Sequence, residues 1–225
     1  MNLLTRALTT GAVVLLATAS SNAAIFITAH NGDVGSFGVS GSDLGQAADT
    51  TLSLDAGTEM FGSAVAKLND GGIYGFLPVD STADTLTPSD GAVVTFHFDL
   101  TASPLGYDLN SIVSLSGSAQ GRSQQVYDVG YSVVGGGGFT PLASVLGSLT
   151  GNEAGGETQV TLSNLDLHDV ADLRFTFHDG SGGESMYREI DIAGTPVPEP
   201  SSSFLIAGLL AVSGFASALL RGKRA

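Results

Sequence analysis

The chain has 225 residues, of which 43% are hydrophobic and only 13% are charged, a composition that excludes a charge-rich disordered protein and a coiled coil. Gly occurs 31 times without a fixed period, which excludes collagen and favours a turn-rich all-β protein. Between Ile25 and Thr195 there are 21 acidic residues against 4 basic ones, and so negative a body repels phosphate backbones, which excludes nucleic-acid binding. Cys is absent, so disulfide bonds, thiolate catalysis and Cys-based zinc sites are excluded too.

Residues 1–24 have the pattern of a secretory signal peptide. Arg6 is the lone charge, Ala12–Ala17 forms an apolar centre, and Ser21–Ala23 supplies the small residues that precede a cleavage point. The alternative is a permanent membrane helix, but the apolar run is too short to cross a hydrocarbon layer of about 30 Å. We therefore expect export through the Sec translocon and removal of this segment by signal peptidase.

The body, residues 25–195, is dominated by alternation of apolar and polar residues with a period of two, which predicts β-strands. The predicted strands are Ile25–Ala29, Thr51–Leu54, Met60–Ala66, Val94–Leu100, Ser111–Leu115, Tyr127–Val133, Phe139–Leu146, Thr158–Leu162, Leu173–Phe177 and Ile190–Ile192. Clusters of Gly, Asn, Asp and Ser separate them, and Gly135–Gly138 is interpreted as a flexible hairpin tip. This pattern predicts one all-β domain, an antiparallel β-sandwich with one face of each sheet buried.

The C-terminal segment, residues 196–225, has three parts in a fixed order. A proline-rich strip comes first, then the apolar run Phe204–Leu220, which is just long enough for a transmembrane helix, and last a basic tail. The strip consists of Val197, Pro198, Glu199 and Pro200, and the basic residues that would stop transfer are Arg221, Lys223 and Arg224.

This order, Pro-Glu-Pro followed by an apolar span and a basic cluster, closely resembles the PEP-CTERM sorting signal of Gram-negative bacteria that make extracellular polysaccharide. The resemblance implies that an exosortase, a membrane protease of transpeptidase type, cuts at the strip and releases or transfers the protein. It implies a transient anchor in the inner membrane and a final location at the cell surface or in the extracellular matrix.

Six short segments of the body also resemble the galactose-binding-like, or discoidin-type, jelly roll. They are Ala64–Gly72, Val94–Leu100, Tyr107–Ile112, Gln125–Ser132, Phe139–Ala143 and Arg188–Gly194. The sequence departs from the family at Gly72–Phe76, where a Thr and a Trp usually follow the Asp-Gly loop, and it contains no Trp. The resemblance implies a jelly-roll sandwich that binds glycans without catalysis.

The same resemblance implies a structural calcium between the Asp-Gly loop and the last strand. Asp70 and Glu189 would be its carboxylate ligands, and backbone carbonyls near Lys67 and Gly72 would complete the site, as suits a hard cation. The alternative is that Asp70 caps a tight turn and that Glu189 pairs with an arginine, Arg188 or Arg174.

Sugar-binding members of that family stack the sugar on loop aromatics and clamp it with Arg or His. In this chain the aromatic candidates are Tyr74, Phe76, Tyr107 and Tyr187. Arg122 lies in a polar loop and is one of few cations in an acidic body, so Tyr74 and Arg122 are the predicted ligand-binding residues. For Arg122 the alternative is an internal ion pair.

No enzyme motif stands out, since the chain has no Gly-x-Ser-x-Gly element and its four histidines lack zinc spacing. His97 and His178 alternate with buried Phe residues and are expected on solvated strand faces. We expect a non-enzymatic, exported protein that binds or packs within extracellular polysaccharide. Two rivals stay open: a glycosidase-like envelope enzyme and a purely structural matrix or adhesion protein.

Overall fold

The computed structural model describes residues 15–17, 24–33, 37–40, 43–46, 50–72, 85–117, 122, 124–147, 156–180 and 183–199. Its strands are β1 (Leu15–Ala17), β2 (Ile25–Asp33), β3 (Thr51–Ala56), β4 (Val93–His97), β5 (Tyr107–Gly117), β6 (Val126–Val133), β7 (Thr140–Leu146), β8 (Gly156–Phe177) and β9 (Tyr187–Pro196). Every pairing between them is antiparallel. The predicted all-β antiparallel architecture is confirmed.

One long strand, β8, belongs to both layers of the sandwich. Its first half pairs with β2 and β5, and β9 lies on the other side of β5. Its second half pairs with β4 and β6, which carry β3 and β7 on their outer sides. Between the halves, Asn164, Asp166 and Asp169 have positive φ angles of 60°, 47° and 55°. These left-handed residues bend the strand without ending it. The two predicted strands Thr158–Leu162 and Leu173–Phe177 are therefore parts of one continuous strand.

The core lies between the layers and is closed by aromatic side chains. Tyr127 of β6 packs edge-on against Phe175 of β8 and against Tyr187 of β9, with ring centroids 5.5 and 6.2 Å apart. Phe177 contacts Tyr187 with centroids 4.6 Å apart. All four rings are buried. Because a protein without disulfides depends on its core for stability, these ring contacts help to hold the two layers together.

The segment predicted as a strand at Met60–Ala66 is not one, and this prediction is wrong. Residues 60–63 form a turn, and a 3₁₀ helix follows at Val65–Leu68. The apolar residues there alternate only in part, and Phe61 and Gly62 have consecutive positive φ angles of 56° and 74°, which reverse the chain in a turn. Leu68 is fully buried and anchors the helix in the core.

The two ends of the chain fall largely outside the described residues. Of the predicted signal peptide, Leu15–Ala17 is described as β1, which pairs with β2. The predicted transmembrane helix at residues 204–220 and the basic residues Arg221, Lys223 and Arg224 lie outside the described part of the chain. Within that part, none of the helices has the length and apolar character needed to cross a membrane.

Candidate functional site

A tight turn at one end of the sandwich presents an aromatic ring to solvent. The N–H of Ser63 donates to the carbonyl of Met60 at 3.0 Å, and both central residues, Phe61 and Gly62, have positive φ angles. This is the geometry of a type I′ turn, whose first central position ordinarily holds Asn or Asp, because other side chains are strained there. A phenylalanine at this position lowers the stability of the fold, because its backbone is strained there.

Hydrogen bonds on both sides of the turn keep it in this conformation. The N–H of Met60 donates to the carbonyl of Thr87 at 2.9 Å, and the N–H of Ala64 donates to the carbonyl of Thr85 at 3.2 Å. The N–H of Thr87 donates to the Ser63 hydroxyl at 3.0 Å. The Phe61 side chain is therefore held outward, and 53% of its surface is exposed.

Arg122 places a cation over the same ring. Its guanidinium carbon lies 5.2 Å from the centroid of Phe61, within the range of a cation–π contact. Its backbone carbonyl accepts a hydrogen bond of 2.9 Å from the N–H of Met186, just before β9, which ties its position to the sheet. Phe61 and Arg122 form the aromatic–cation platform, an apolar ring face beside a fork of hydrogen-bond donors.

The sequence predicted one member of this platform and missed the other. Arg122 was predicted as a ligand-binding residue, and its guanidinium contacts a ring rather than a described carboxylate. Tyr74, its predicted aromatic partner, lies outside the described residues. Phe61 was overlooked because it was assigned to a strand. The available signal was the Phe-Gly dipeptide, since a glycine after a solvent-facing residue favours a tight turn.

A second site lies where two loops cover the outer face of β9. Glu189 is fully buried there, and its carboxylate accepts hydrogen bonds from the N–H of Gly71 at 3.1 Å and from the Gln46 amide at 3.5 Å. Asp70 accepts from the N–H of Gly72 at 3.0 Å and forms an ion pair with Lys67 at 2.9 Å. The two predicted calcium ligands thus belong to one loop-to-strand junction.

Two further carboxylates extend this junction along β9. Asp43 Oδ1 accepts from the N–H groups of Gly45 and Ile192 at 2.6 and 3.0 Å, and so covers the free edge of the strand. Asp191 Oδ2 accepts from the N–H of Ser40 at 2.9 Å. Among the described residues, Asp43 Oδ2 and Asp191 Oδ1 are buried without a hydrogen-bond partner. A cavity of about 320 Å³ lies beside them.

We call the group of Asp43, Asp70, Glu189 and Asp191 the acidic junction, and it carries more carboxylates than cations. Burial, and next the charge of Asp191, raise the pKa of Glu189 to about 8. Burial raises the pKa of Asp191 to about 6, and it also raises the pKa of Asp43. Two orphaned carboxylate oxygens beside a fully buried carboxyl are the donor chemistry that a hard cation neutralises. Within the described ranges, no three His, Cys, Asp or Glu side chains converge to hold a metal, so carbonyl ligands would be needed.

The alternative partners proposed for Glu189 are engaged elsewhere. Arg188 forms a nearly buried ion pair with Glu157, with Nη1 and Oε1 3.0 Å apart. Arg174 lies 3.4 Å from Asp55 on the opposite layer. Both arginines thus form ion pairs with other carboxylates, and at the acidic junction Lys67 forms an ion pair with Asp70.

Comparisons with known proteins identify similar folds. The family 32 carbohydrate-binding module of Clostridium perfringens NanJ, solved with galactose, is 16% identical, with a TM-score of 0.44 over 67% of this chain and 97% of that one. A carbohydrate-binding module from a family 31 glycoside hydrolase of the same organism is 14% identical, with a TM-score of 0.44 over 65% of this chain and 94% of that one. The C-terminal domain of a Bacteroides fragilis chitobiase is 17% identical, with a TM-score of 0.45 over 70% of this chain and 100% of that one.

No protein-family model matches the sequence. No curated protein matches it either. Carbohydrate-binding modules and an F5/8 type C domain are among the solved structures with a similar fold.

The platform turn predicts an unusual response to mutation. Phe61→Asn should stabilise the folded protein by about 1 kcal/mol, because a left-handed backbone is strained for phenylalanine and tolerated by asparagine. The measurement is thermal unfolding of the full chain by circular dichroism. Phe26→Asn is the control, since Phe26 is also exposed but lies in β2, where asparagine should destabilise. A lower melting temperature for Phe61→Asn would mean that the ring stabilises the fold.

Proposed function

We propose that this chain is an exported protein whose body binds extracellular polysaccharide through the aromatic–cation platform. The observation that carries the proposal is an exposed phenylalanine, held at a strained backbone position with an arginine over its ring. The C–H face of a sugar packs on such a ring, while the guanidinium donates hydrogen bonds to sugar hydroxyls. Strain at a solvent-facing residue is typical of a functional position, since packing does not require it. Binding at this platform involves no catalytic step.

The position of the platform suits a protein that is held at its C-terminus. The backbone carbonyl of Arg122 accepts a hydrogen bond from Met186, which immediately precedes the first residue of β9. The proline-rich strip follows the last residue of β9, at the other end of the strand. A strand of ten residues spans about 33 Å. The ligand-binding end therefore lies across the sandwich from the predicted anchor.

For export and sorting we propose the route that the two terminal segments indicate. The Sec translocon and signal peptidase act on residues 1–24, and an exosortase-type membrane protease acts at Val197–Pro200. Pro198 and Glu199 are exposed in the structure, which leaves this part of the strip accessible. The protein is then anchored in the inner membrane only until cleavage, and its destination is the cell surface or the polysaccharide matrix.

We also propose a structural calcium at the acidic junction. Asp70 and Glu189 would be its side-chain ligands, and the neighbouring orphaned oxygens of Asp43 and Asp191 add to the negative charge that it would balance. The bound ion would fix the loop at residues 69–72 against β9. This loop follows the 3₁₀ helix beyond the platform turn, so the ion would also steady that end of the sandwich.

The glycan-binding proposal predicts a selective loss. In affinity electrophoresis through gels containing galactan, pectin or the producing cell's own exopolysaccharide, the full chain should be retarded by at least one of them. Phe61→Asn and Arg122→Gln should each weaken binding about tenfold or more, equal to about 1.4 kcal/mol. Phe26→Asn and Arg174→Gln are the matched controls. Absence of retardation in every gel would support the structural-matrix alternative, and release of reducing ends would support a glycosidase.

The sorting proposal predicts a block in processing. Replacing Pro198, Glu199 and Pro200 by Ala should leave a longer product in the inner-membrane fraction, because the protease loses its recognition strip. Size and location are followed by immunoblot of fractionated cells, with a triple Ala substitution at residues 201–203 as control. Recovery of full-length protein from the cytoplasm with both ends intact would contradict the proposal.

The calcium proposal predicts a metal-dependent melting temperature. Excess calcium should raise the melting temperature of the EDTA-treated full chain, since ligand that binds only the folded state stabilises it by about 2.7 kcal/mol at a hundredfold excess over Kd. Glu189→Gln should abolish the increase. Asp90→Asn, a change at an exposed aspartate in another loop, should preserve it. Equal melting curves with calcium and with EDTA would exclude the ion.

A further inference from the structure

The outward face of the second layer brings together three side chains that are far apart in sequence. Ser53 Oγ of β3 lies 2.8 Å from Nε2 of His97 on β4. Nδ1 of the same imidazole lies 2.8 Å from Oδ1 of Asp172 on β8. The His97 side chain is 44% exposed and that of Asp172 is 27% exposed, so solvent and small molecules reach the group.

The register of the sheet produces this arrangement. His97 pairs with Thr51 on one side and with Asp172 on the other, and Asp172 pairs in turn with Ser132. Ser53 is two residues beyond Thr51, so its side chain is on the same face and reaches the imidazole diagonally. The Ser132 hydroxyl donates to Asp172 Oδ2 at 2.6 Å, which leaves Asp172 Oδ1 directed at the imidazole.

The direction of each proton follows from these contacts. A carboxylate only accepts hydrogen bonds, so Nδ1 of His97 carries the proton that bonds to Asp172. In the neutral ring Nε2 then has a free lone pair, which is directed at the Ser53 hydroxyl. This order, hydroxyl to imidazole to carboxylate, is the arrangement that activates a serine nucleophile.

A competing acceptor sits next to the serine. In the structure the Ser53 hydroxyl donates its one proton to Asp55 Oδ1 at 2.6 Å, so it has to turn toward His97 Nε2 before it can be activated. Asp55 Oδ2, however, accepts from the Thr95 hydroxyl at 2.6 Å and lies 3.4 Å from Arg174 Nη2. Burial opposes it, but the hydrogen bonds of Ser53 and Thr95 and the charge of Arg174 lower the pKa of Asp55. When the serine proton turns to His97, Asp55 keeps the hydrogen bond from Thr95 and its contact with Arg174.

We propose that Ser53, His97 and Asp172 form a nucleophile site, in which the Ser53 hydroxyl accepts acyl groups from small esters in solution. Ser53 Oγ bonds to the carbonyl carbon while its proton moves to His97 Nε2. The bond from that carbon to the alcohol oxygen breaks, and His97 returns the proton to the departing alcohol. Water then attacks the acyl-serine through the same imidazole, releasing a carboxylic acid and restoring the Ser53 hydroxyl.

The face offers limited stabilisation for the developing oxyanion. Arg174 Nη2 lies 3.4 Å from Asp55 Oδ2, which places a positively charged donor close to the group. Its guanidinium is fixed by the ring of Phe139, 3.6 Å from the centroid. An oxyanion donor is worth about a hundredfold or more in rate, and because its weakness slows acylation and deacylation alike, turnover should be slow. The acyl-serine should accumulate only from an ester with a good leaving group.

The test is acylation of the full chain by p-nitrophenyl acetate, followed by peptide mapping with mass spectrometry. We expect one acetyl group on Ser53, and at least a tenfold lower yield at that residue in His97→Gln and in Asp172→Asn. Ser144 is the internal control, because it donates to Asp128 and has no imidazole contact. Ser53→Ala should abolish the p-nitrophenolate released by acylation at this site and leave no acetyl group on the corresponding peptide.

Two results would overturn the proposal. One is acetylation of Ser53 no faster than that of Ser144, and the other is an unchanged Ser53 yield in His97→Gln. Because these side chains lie on an exposed face, the variants should fold, and circular dichroism checks this. The platform is on different elements, so loss of glycan binding and loss of acylation are separable.

Discussion

One strand, β8, pairs with strands of both layers and so determines how the two layers that carry the sites are joined. β8 is 22 residues long and pairs with both halves of the sandwich, and the left-handed residues Asn164, Asp166 and Asp169 let it turn between them. Its alternating side chains then supply the core of both layers from one face. The opposite face of its second half carries Asp172 and Arg174, which places polar chemistry on the outside of the sheet.

The alternation of apolar and polar residues was enough to predict most strands and their faces. It predicted that His97 and His178 would lie on solvated surfaces, where the structure places them, because a period of two allows only two sides. The same rule failed at Met60–Ala66. There a Gly after an aromatic residue reverses the chain, and local backbone geometry overrides a partly alternating pattern.

The sites were harder to predict than the fold, since each depends on contacts between distant segments. Arg122 was singled out because cations are rare in this acidic body, but its aromatic partner Phe61 lies about sixty residues earlier. Ser53, His97 and Asp172 come from three strands, and only the register of those strands brings them into line. Asp70 and Glu189 were found through a resemblance, because no spacing rule links them.

The end of the last strand has a geometric consequence for the cell. The N–H of Val197 donates to the carbonyl of Gly106 at 3.0 Å, so the folded body continues to within one residue of Pro198. Only residues 198–203 separate it from the apolar run, and a fully extended chain of that length reaches about 20 Å. If the apolar run anchors the protein as proposed, the folded body would lie within about 20 Å of the lipid surface. The proposed membrane protease would then have to cut within this short segment, between the folded body and the membrane.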